Sequence, residues 1–251
     1  VSAKVRKTKS NNSGFILALV GIVVAGGGFI WWKTQQPPPA ATMIMPTVSD
    51  SVLASKARGY TAGSPGAKVE IIEFADYECP ACGNFANITE PDVRKNLIET
   101  GLVRYTFYDF PLLNVHQNTV PASMSAACAD DQSKFWAMHD AIFMGQIEWN
   151  GIATSNPRKV LATYAEQLGL DMGKWNSCMD ANTHAERIRA NYALGMMKQV
   201  QSTPTFFING QAYPGSLPYD DIKKAVDAAL AATAPIPAAV PEPVKETGAT
   251  R

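Results

Sequence analysis

Hydrophobic and polar positions along this chain fall into three rhythms. The run Val69-Glu70-Ile71-Ile72-Glu73-Phe74 is almost continuously apolar and ends in a turn, which predicts a buried strand. Val103, Tyr105 and Phe107 alternate with polar residues and predict a second strand. Thr205–Ile208 predicts a third, with Asn209-Gly210 as a tight hairpin turn and Gln211–Tyr213 as its partner. Tyr60-Thr61-Ala62-Gly63 suits a short extended edge piece, and Gly63-Ser64-Pro65-Gly66 a turn.

Elsewhere the apolar spacing is helical. It recurs over Ala122–Asp131, Lys134–Met144, Arg158–Leu168, Met172–Met179 and His184–Gln199, with Asn114, Asp131, Asn156, Asp171 and Thr183 as expected starts. A further helix is expected from Pro80 to about Glu99, closed by Gly101 and kinked or restarted at Pro91. Ile222, Ala225, Val226 and Leu230 mark a last amphipathic helix over Pro218–Leu230. The order is β-α-β, a helical insert at about 114–200, then β-β-α, an α/β class.

The third rhythm lies near the start. Phe15 to Trp32 holds no charged residue and spans about 27 Å as a helix, close to a bilayer core. Lys4, Arg6, Lys7 and Lys9 precede it, Trp31 and Trp32 close it, and Lys33 follows. A cleaved signal peptide is the alternative. The long apolar run and the lack of a clear small-x-small cleavage site favour an uncleaved signal-anchor. Both readings leave the basic flank in the cytoplasm and place everything after residue 33 outside, in the periplasm or at the cell exterior. The expected organisation is 1–14 cytoplasmic, 15–32 spanning the lipid bilayer, 33–50 a Pro-rich linker, 51–232 the globular domain, and 233–251 a disordered Pro/Ala-rich tail.

With 251 residues, 46% of them hydrophobic, the chain holds enough apolar surface for one compact domain plus these appendages. Its 22 basic residues balance 22 acidic ones, so the basic footprint of a nucleic-acid binder is absent.

The chemistry centres on Cys79-Pro80-Ala81-Cys82, placed where a strand hands over to a helix. Two thiols at that spacing exchange between dithiol and disulfide with little backbone movement, so this is a redox motif. Structural zinc needs a second pair of ligands, which is missing, and no metal or cofactor is expected. Cys79, at the helix N-terminus, feels unpaired N–H groups that favour thiolate and is the expected attacking thiol. Cys82, one turn inside, is the expected resolving thiol. Pro80 and Ala81 put no charge between them, so any lowering of the Cys79 pKa must come mainly from the helix end and backbone donors. A static structural disulfide is the bland alternative.

Three further features matter. Glu73 interrupts the apolar strand; buried, it relays a proton for the resolving thiol, and otherwise it lies on a solvated face. Thr203-Pro204 opens a strand where a cis bond is sometimes used, and the Thr203 backbone would then pair with an extended substrate; an ordinary trans proline is the alternative. Cys128 and Cys178 remain, bridged in an oxidising compartment or else buried as small hydrophobes. His116, His139 and His184 are scattered, and His139 is expected to pack or cap.

Val69–Phe85, the insert with Phe135-Trp136 and Trp175-Asn176-Ser177-Cys178, and Ser202–Gly210 together resemble the DsbA-like thioredoxin-fold thiol:disulfide oxidoreductases. The likeness covers roughly residues 60–231 and is strongest to membrane-anchored, BdbD-like members. It implies a thioredoxin fold with a helical insertion, Cys79 as nucleophile, Cys82 as its partner, Pro204 in cis, Glu73 as a buried carboxylate and a paired set of insert cysteines. It also implies disulfide donation to reduced secreted or membrane proteins, and reoxidation by a quinone-linked membrane oxidase, DsbB-like or VKOR-like. Ala81 departs from the histidine that the best-known oxidases carry before the second cysteine. A reductase or isomerase of the same fold, and a membrane-tethered binding or chaperone module with purely structural cysteines, are the rival readings.

Overall fold

The computed structural model describes residues 50–233, residue 46 and six positions between 21 and 28. Val1–Ala41 and Thr42–Arg251 form separate units. The six positions between 21 and 28 are helical. Among the described residues no helix is long and apolar enough to cross a membrane. The rest of the span expected at 15–32, and nearly all of the linker and tail, lie outside the described residues.

In the second unit the long apolar run becomes β2 (Val69–Ala75). It follows a short helix, α1 (Ser51–Ala54), and an edge strand, β1 (Tyr60–Ala62). β3 (Val103–Asp109), β4 (Thr205–Ile208) and β5 (Gln211–Pro214) complete a five-stranded sheet in the order β1-β3-β2-β4-β5. β2 is central, parallel to β3 and antiparallel to β4. A central strand has both faces covered, which is why its sequence is apolar with little alternation. The hairpin between β4 and β5 turns at Asn209 and Gly210, both at positive φ, 45° and 87°. That is the backbone a two-residue loop needs, and Asn and Gly adopt it at least cost.

Pro80–Ile98 runs as a chain of helical segments. α2 (Pro80–Asn84) and α3 (Glu90–Val93) are α-helical, and Phe85–Thr89 and Arg94–Ile98 are π-helical turns. The expected kink or restart at Pro91 thus takes the form of α3, with Pro91 in its first turn where its missing N–H costs nothing. The insert supplies α4 (Thr119–Asp130), α5 (Phe135–Met144), α6 (Gln146–Trp149), α7 (Arg158–Gln167), α8 (Met172–Ala181) and α9 (Ala185–Met197), and α10 (Tyr219–Thr233) closes the fold.

Of the expected helix starts, only Asp171 is an N-cap, its side chain accepting from the Lys174 N–H. Asn118, Lys134, Pro157 and His184 hold the positions expected of Asn114, Asp131, Asn156 and Thr183. Asp131 instead closes α4 as its C-cap and pairs with His184. The short α6 was not foreseen; four residues are too few to show a period.

The main core lies on the face of β2 that carries Val69, Ile71 and Glu73, against Phe85, Val93 and Leu97, the insert helices, and Ile222 and Val226 of α10. On the opposite face Phe74 packs with Phe110, Val200 and Phe207, covered by Tyr192, Leu194 and Met196 near the end of α9. Gly195 permits that close approach, because a Cβ there would sit 2.4 Å from Phe110.

Candidate active site

β2 ends at Ala75, and the next three residues, Asp76-Tyr77-Glu78, form the turn that delivers Cys79. The Cys79 N–H donates to the Asp76 carbonyl at 3.1 Å. Cys79 is then the N-cap of α2, extended at φ −68°, ψ 122°, with Pro80 as the first helical residue. Cys79 is 7% exposed and Cys82 is fully buried; both are free thiols.

The Cys79 Sγ donates to the Thr203 carbonyl at 3.4 Å, and the Thr203–Pro204 peptide bond is cis. Strand β4 therefore begins directly against the outer thiol. Cys79 is lowered from 9.0 to about 6. The largest cause is the hydrogen bond from the Cys82 thiol; burial opposes it, and Thr203 and the Cys82 and Ala81 backbone add to it. Cys82 moves the other way. Burial pushes it well above the ordinary thiol range, helped by its bond to Cys79 and by the Cys79 and Glu73 charges. One thiol is thus ionised at neutral pH and the other stays protonated.

Glu73 is 2% exposed and accepts a short hydrogen bond from the Tyr105 hydroxyl. Burial, followed by the charge of Glu90, raises its pKa well above the carboxylate range. The solvated-face alternative does not hold, whereas Glu70 is exposed on the other side of the strand. Glu90, also buried, shows the opposite direction. Burial would raise it, but the charges and hydrogen bonds of His139 and Arg94 outweigh that and lower it. His139 is fully buried and packs as expected, its Nε2 3.2 Å from Glu90 and its Nδ1 3.1 Å from the Tyr77 hydroxyl.

Three residues that the sequence did not single out, Asp76, Glu78 and Gln146, build the frame around Cys79. The Asp76 carboxylate accepts from the Glu78 N–H (2.7 Å), the Leu112 N–H (2.7 Å) and His116 Nδ1 (2.8 Å). Glu78 accepts from the Gly151 N–H (2.5 Å) and the Asn118 N–H (2.7 Å). The Gln146 amide donates to the carbonyls of Tyr77 (2.7 Å) and Cys79 (2.9 Å). The turn is thereby tied to the loop before α4 and to the region around α6. The one available signal was two acids flanking Tyr77 immediately before the cysteine motif.

Cys128 on α4 and Cys178 on α8 form a disulfide with an S–S distance of 2.01 Å. Their sulfurs and His184 lie within 4.8 Å of one another, the one cluster of metal-type donors among the described residues. With the sulfurs bonded to each other it offers no thiolate ligand.

Fold and site together define a dithiol protein of thioredoxin architecture with a helical insertion. A family model described as thioredoxin matches residues 55–228. The Na(+)/H(+) antiporter NhaA 1 of Salinispora arenicola is 34% identical over 176 residues, 70% of this chain and 25% of that protein. The chain thus spans about a quarter of the length of the antiporter relatives it matches. Disulfide bond formation protein D of Bacillus subtilis is 26% identical over 172 residues, covering 67% of this chain and 75% of that one. Wolbachia pipientis alpha-DsbA1 superposes with a TM-score of 0.62 at 22% identity, over 70% of this chain and 92% of that one. The chain belongs to the thioredoxin family.

Proposed function

We propose that this protein donates disulfides to reduced proteins outside the cytoplasm, through Cys79 and Cys82. The observation that carries the reading is the placement of an ionisable Cys79 sulfur 3.4 Å from the Thr203 carbonyl, at the head of a strand that an extended chain can join. A substrate thiolate attacks the Cys79 sulfur of the Cys79–Cys82 disulfide. The S–S bond breaks, and Cys82 leaves with the electron pair and takes up a proton. A second substrate thiolate then attacks the substrate's own sulfur in the mixed disulfide and expels the Cys79 thiolate. The substrate is oxidised by two electrons and the protein is reduced by two. Glu73, buried on the strand that leads to the turn, holds or gives up the proton that Cys82 needs.

Val115, Ile147 and Ile152 are 71, 80 and 99% exposed. They sit on the segments tied to Asp76, Glu78 and Cys79, which suits contact with unfolded, apolar protein chains. The segment 15–32 would anchor the protein in the lipid bilayer with this domain outside, and a quinone-linked membrane oxidase, DsbB-like or VKOR-like, would restore the disulfide. The antiporter relatives place a matching stretch within a longer protein, and no ion transport is carried over to this chain.

The test is oxidation of a reduced, unfolded protein by the oxidised chain. The wild type restores the target's disulfides, and Cys79→Ser abolishes this. Retained oxidation in Cys79→Ser would end the reading. A reductase is distinguished by a reduction potential near −270 mV, against about −120 mV for a strong oxidant.

A further inference from the structure

Pro80 and Ala81 leave the space between the two thiols without charge, yet a protonable ring is tied to the same turn from outside the motif. We propose that His116, held on the Asp76 carboxylate, is a positioning residue whose charge stabilises the Cys79 thiolate and sets how oxidising the Cys79–Cys82 pair is. This rests on the assignment of Cys79 as the attacking thiol.

The geometry makes the link short. Asp76 binds His116 through its carboxylate and Cys79 through its main-chain carbonyl, which accepts the Cys79 N–H at 3.1 Å. The other two groups on Asp76 are backbone N–H donors, and an ionised carboxylate only accepts, so Nδ1 of His116 carries the hydrogen between them. The proton that comes and goes is therefore the one on Nε2. The side chain of Asp76 is fully buried and that of His116 is 16% exposed, so the anchor is fixed while the ring exchanges protons with water.

The ionisable groups acting most on His116 are Asp76, Glu78 and Cys79, all from the turn between β2 and α2. Its own loop, residues 111–118, holds no other titratable side chain. The Asp76 bond raises the ring above its ordinary 6.5, burial opposes this, and the Glu78 and Cys79 charges add to the rise. A cation beside a thiolate stabilises the reduced protein. In the balance of protein disulfide plus two glutathione thiols against protein dithiol plus glutathione disulfide, it shifts the position toward the dithiol.

Coupling between two protonation sites is reciprocal, which gives a test on the unaltered protein. The imidazole of His116, followed by NMR, should titrate at higher pH in the reduced protein, where Cys79 is a thiolate, than in the disulfide form. His116→Gln, which keeps a donor for Asp76 without charge, should raise the Cys79 pKa above about 6. It should also move the glutathione equilibrium roughly tenfold toward the oxidised protein, about 30 mV more reducing. An imidazole that titrates identically in both redox forms overturns the proposal, as do superimposable thiol titrations and potentials in His116→Gln. If the variant fails to fold, the two-state NMR comparison still decides. The Cys79→Ser oxidation assay tests the parent reading on its own, so loss of one is distinguishable from loss of the other.

Discussion

A thiol that ionises at about 6 in the folded protein and at 9.0 elsewhere couples stability to pH, but only while it is free. Its folded pKa is the lower one, so the stabilisation is fully present above 9.0 and is lost as pH falls through 6. A full shift of that size corresponds to about 4 kcal/mol. Water reaches the sulfur and screens part of it, so about 2–3 kcal/mol is the working figure at high pH, and about 1 kcal/mol at pH 7. The perturbation is Cys79→Ala. Wild type and variant, both with the Cys79–Cys82 pair reduced and the Cys128–Cys178 bond verified intact by mass spectrometry, are unfolded in urea between pH 5.5 and 8.5. Their difference in unfolding free energy should widen by about 2 kcal/mol across that range, in favour of the wild type. Cys82 does not interfere, since its own pKa is raised and it stays protonated there. A difference constant to within about 0.5 kcal/mol would refute an ionised Cys79 and the thiolate chemistry built on it.

Glu73→Gln keeps an acceptor for the Tyr105 hydroxyl and removes a carboxyl whose folded pKa is raised. A raised carboxyl costs stability once pH exceeds its unfolded value, so the variant should be more stable at pH 7, on the order of 1–3 kcal/mol, and the gain should vanish near pH 4. Denaturant titrations at the two pH values check this, and a gain that persists unchanged at pH 4 would contradict it. Replacing Cys128 and Cys178 together by serine opens a covalent loop of sequence separation 50. Unfolding should become easier by about 4 kcal/mol while oxidation of a test protein through Cys79 continues; loss of oxidation in a variant that is still folded would show that this bridge belongs to the redox path.

What could be read from the chain alone was local. β2, the cysteine motif and the Asn209-Gly210 hairpin each carry their signal within a few residues, and each lies where the pattern put it. Glu73 was open between two faces, because a strand's parity separates it from Glu70 but does not say which side is core. Burial against Tyr105, from the neighbouring strand, decides it. The frame around Cys79 was illegible for a related reason. Asp76 and Glu78 look like solvated turn acids, yet both are buried, because backbone N–H groups 36 to 73 positions away satisfy their oxygens. Nothing in the local sequence announces such partners.

The opposed shifts of the two thiols bear on direction more than the motif itself does. A mixed disulfide on Cys79 has two exits. In one, a second substrate thiol expels Cys79; in the other, Cys82 attacks and returns the substrate reduced. Departure of Cys79 is favoured by a leaving-group pKa of about 6. Attack by Cys82 requires its thiolate, which burial disfavours. Both effects push the partition toward release of an oxidised substrate. With no charge at Ala81, this asymmetry comes from the Cys82–Cys79 hydrogen bond, Thr203 and the burial of Cys82. How readily Cys79 leaves is therefore set inside the motif by the Cys82 thiol and the Cys82 and Ala81 backbone, and outside it by Thr203, 124 positions from Cys79.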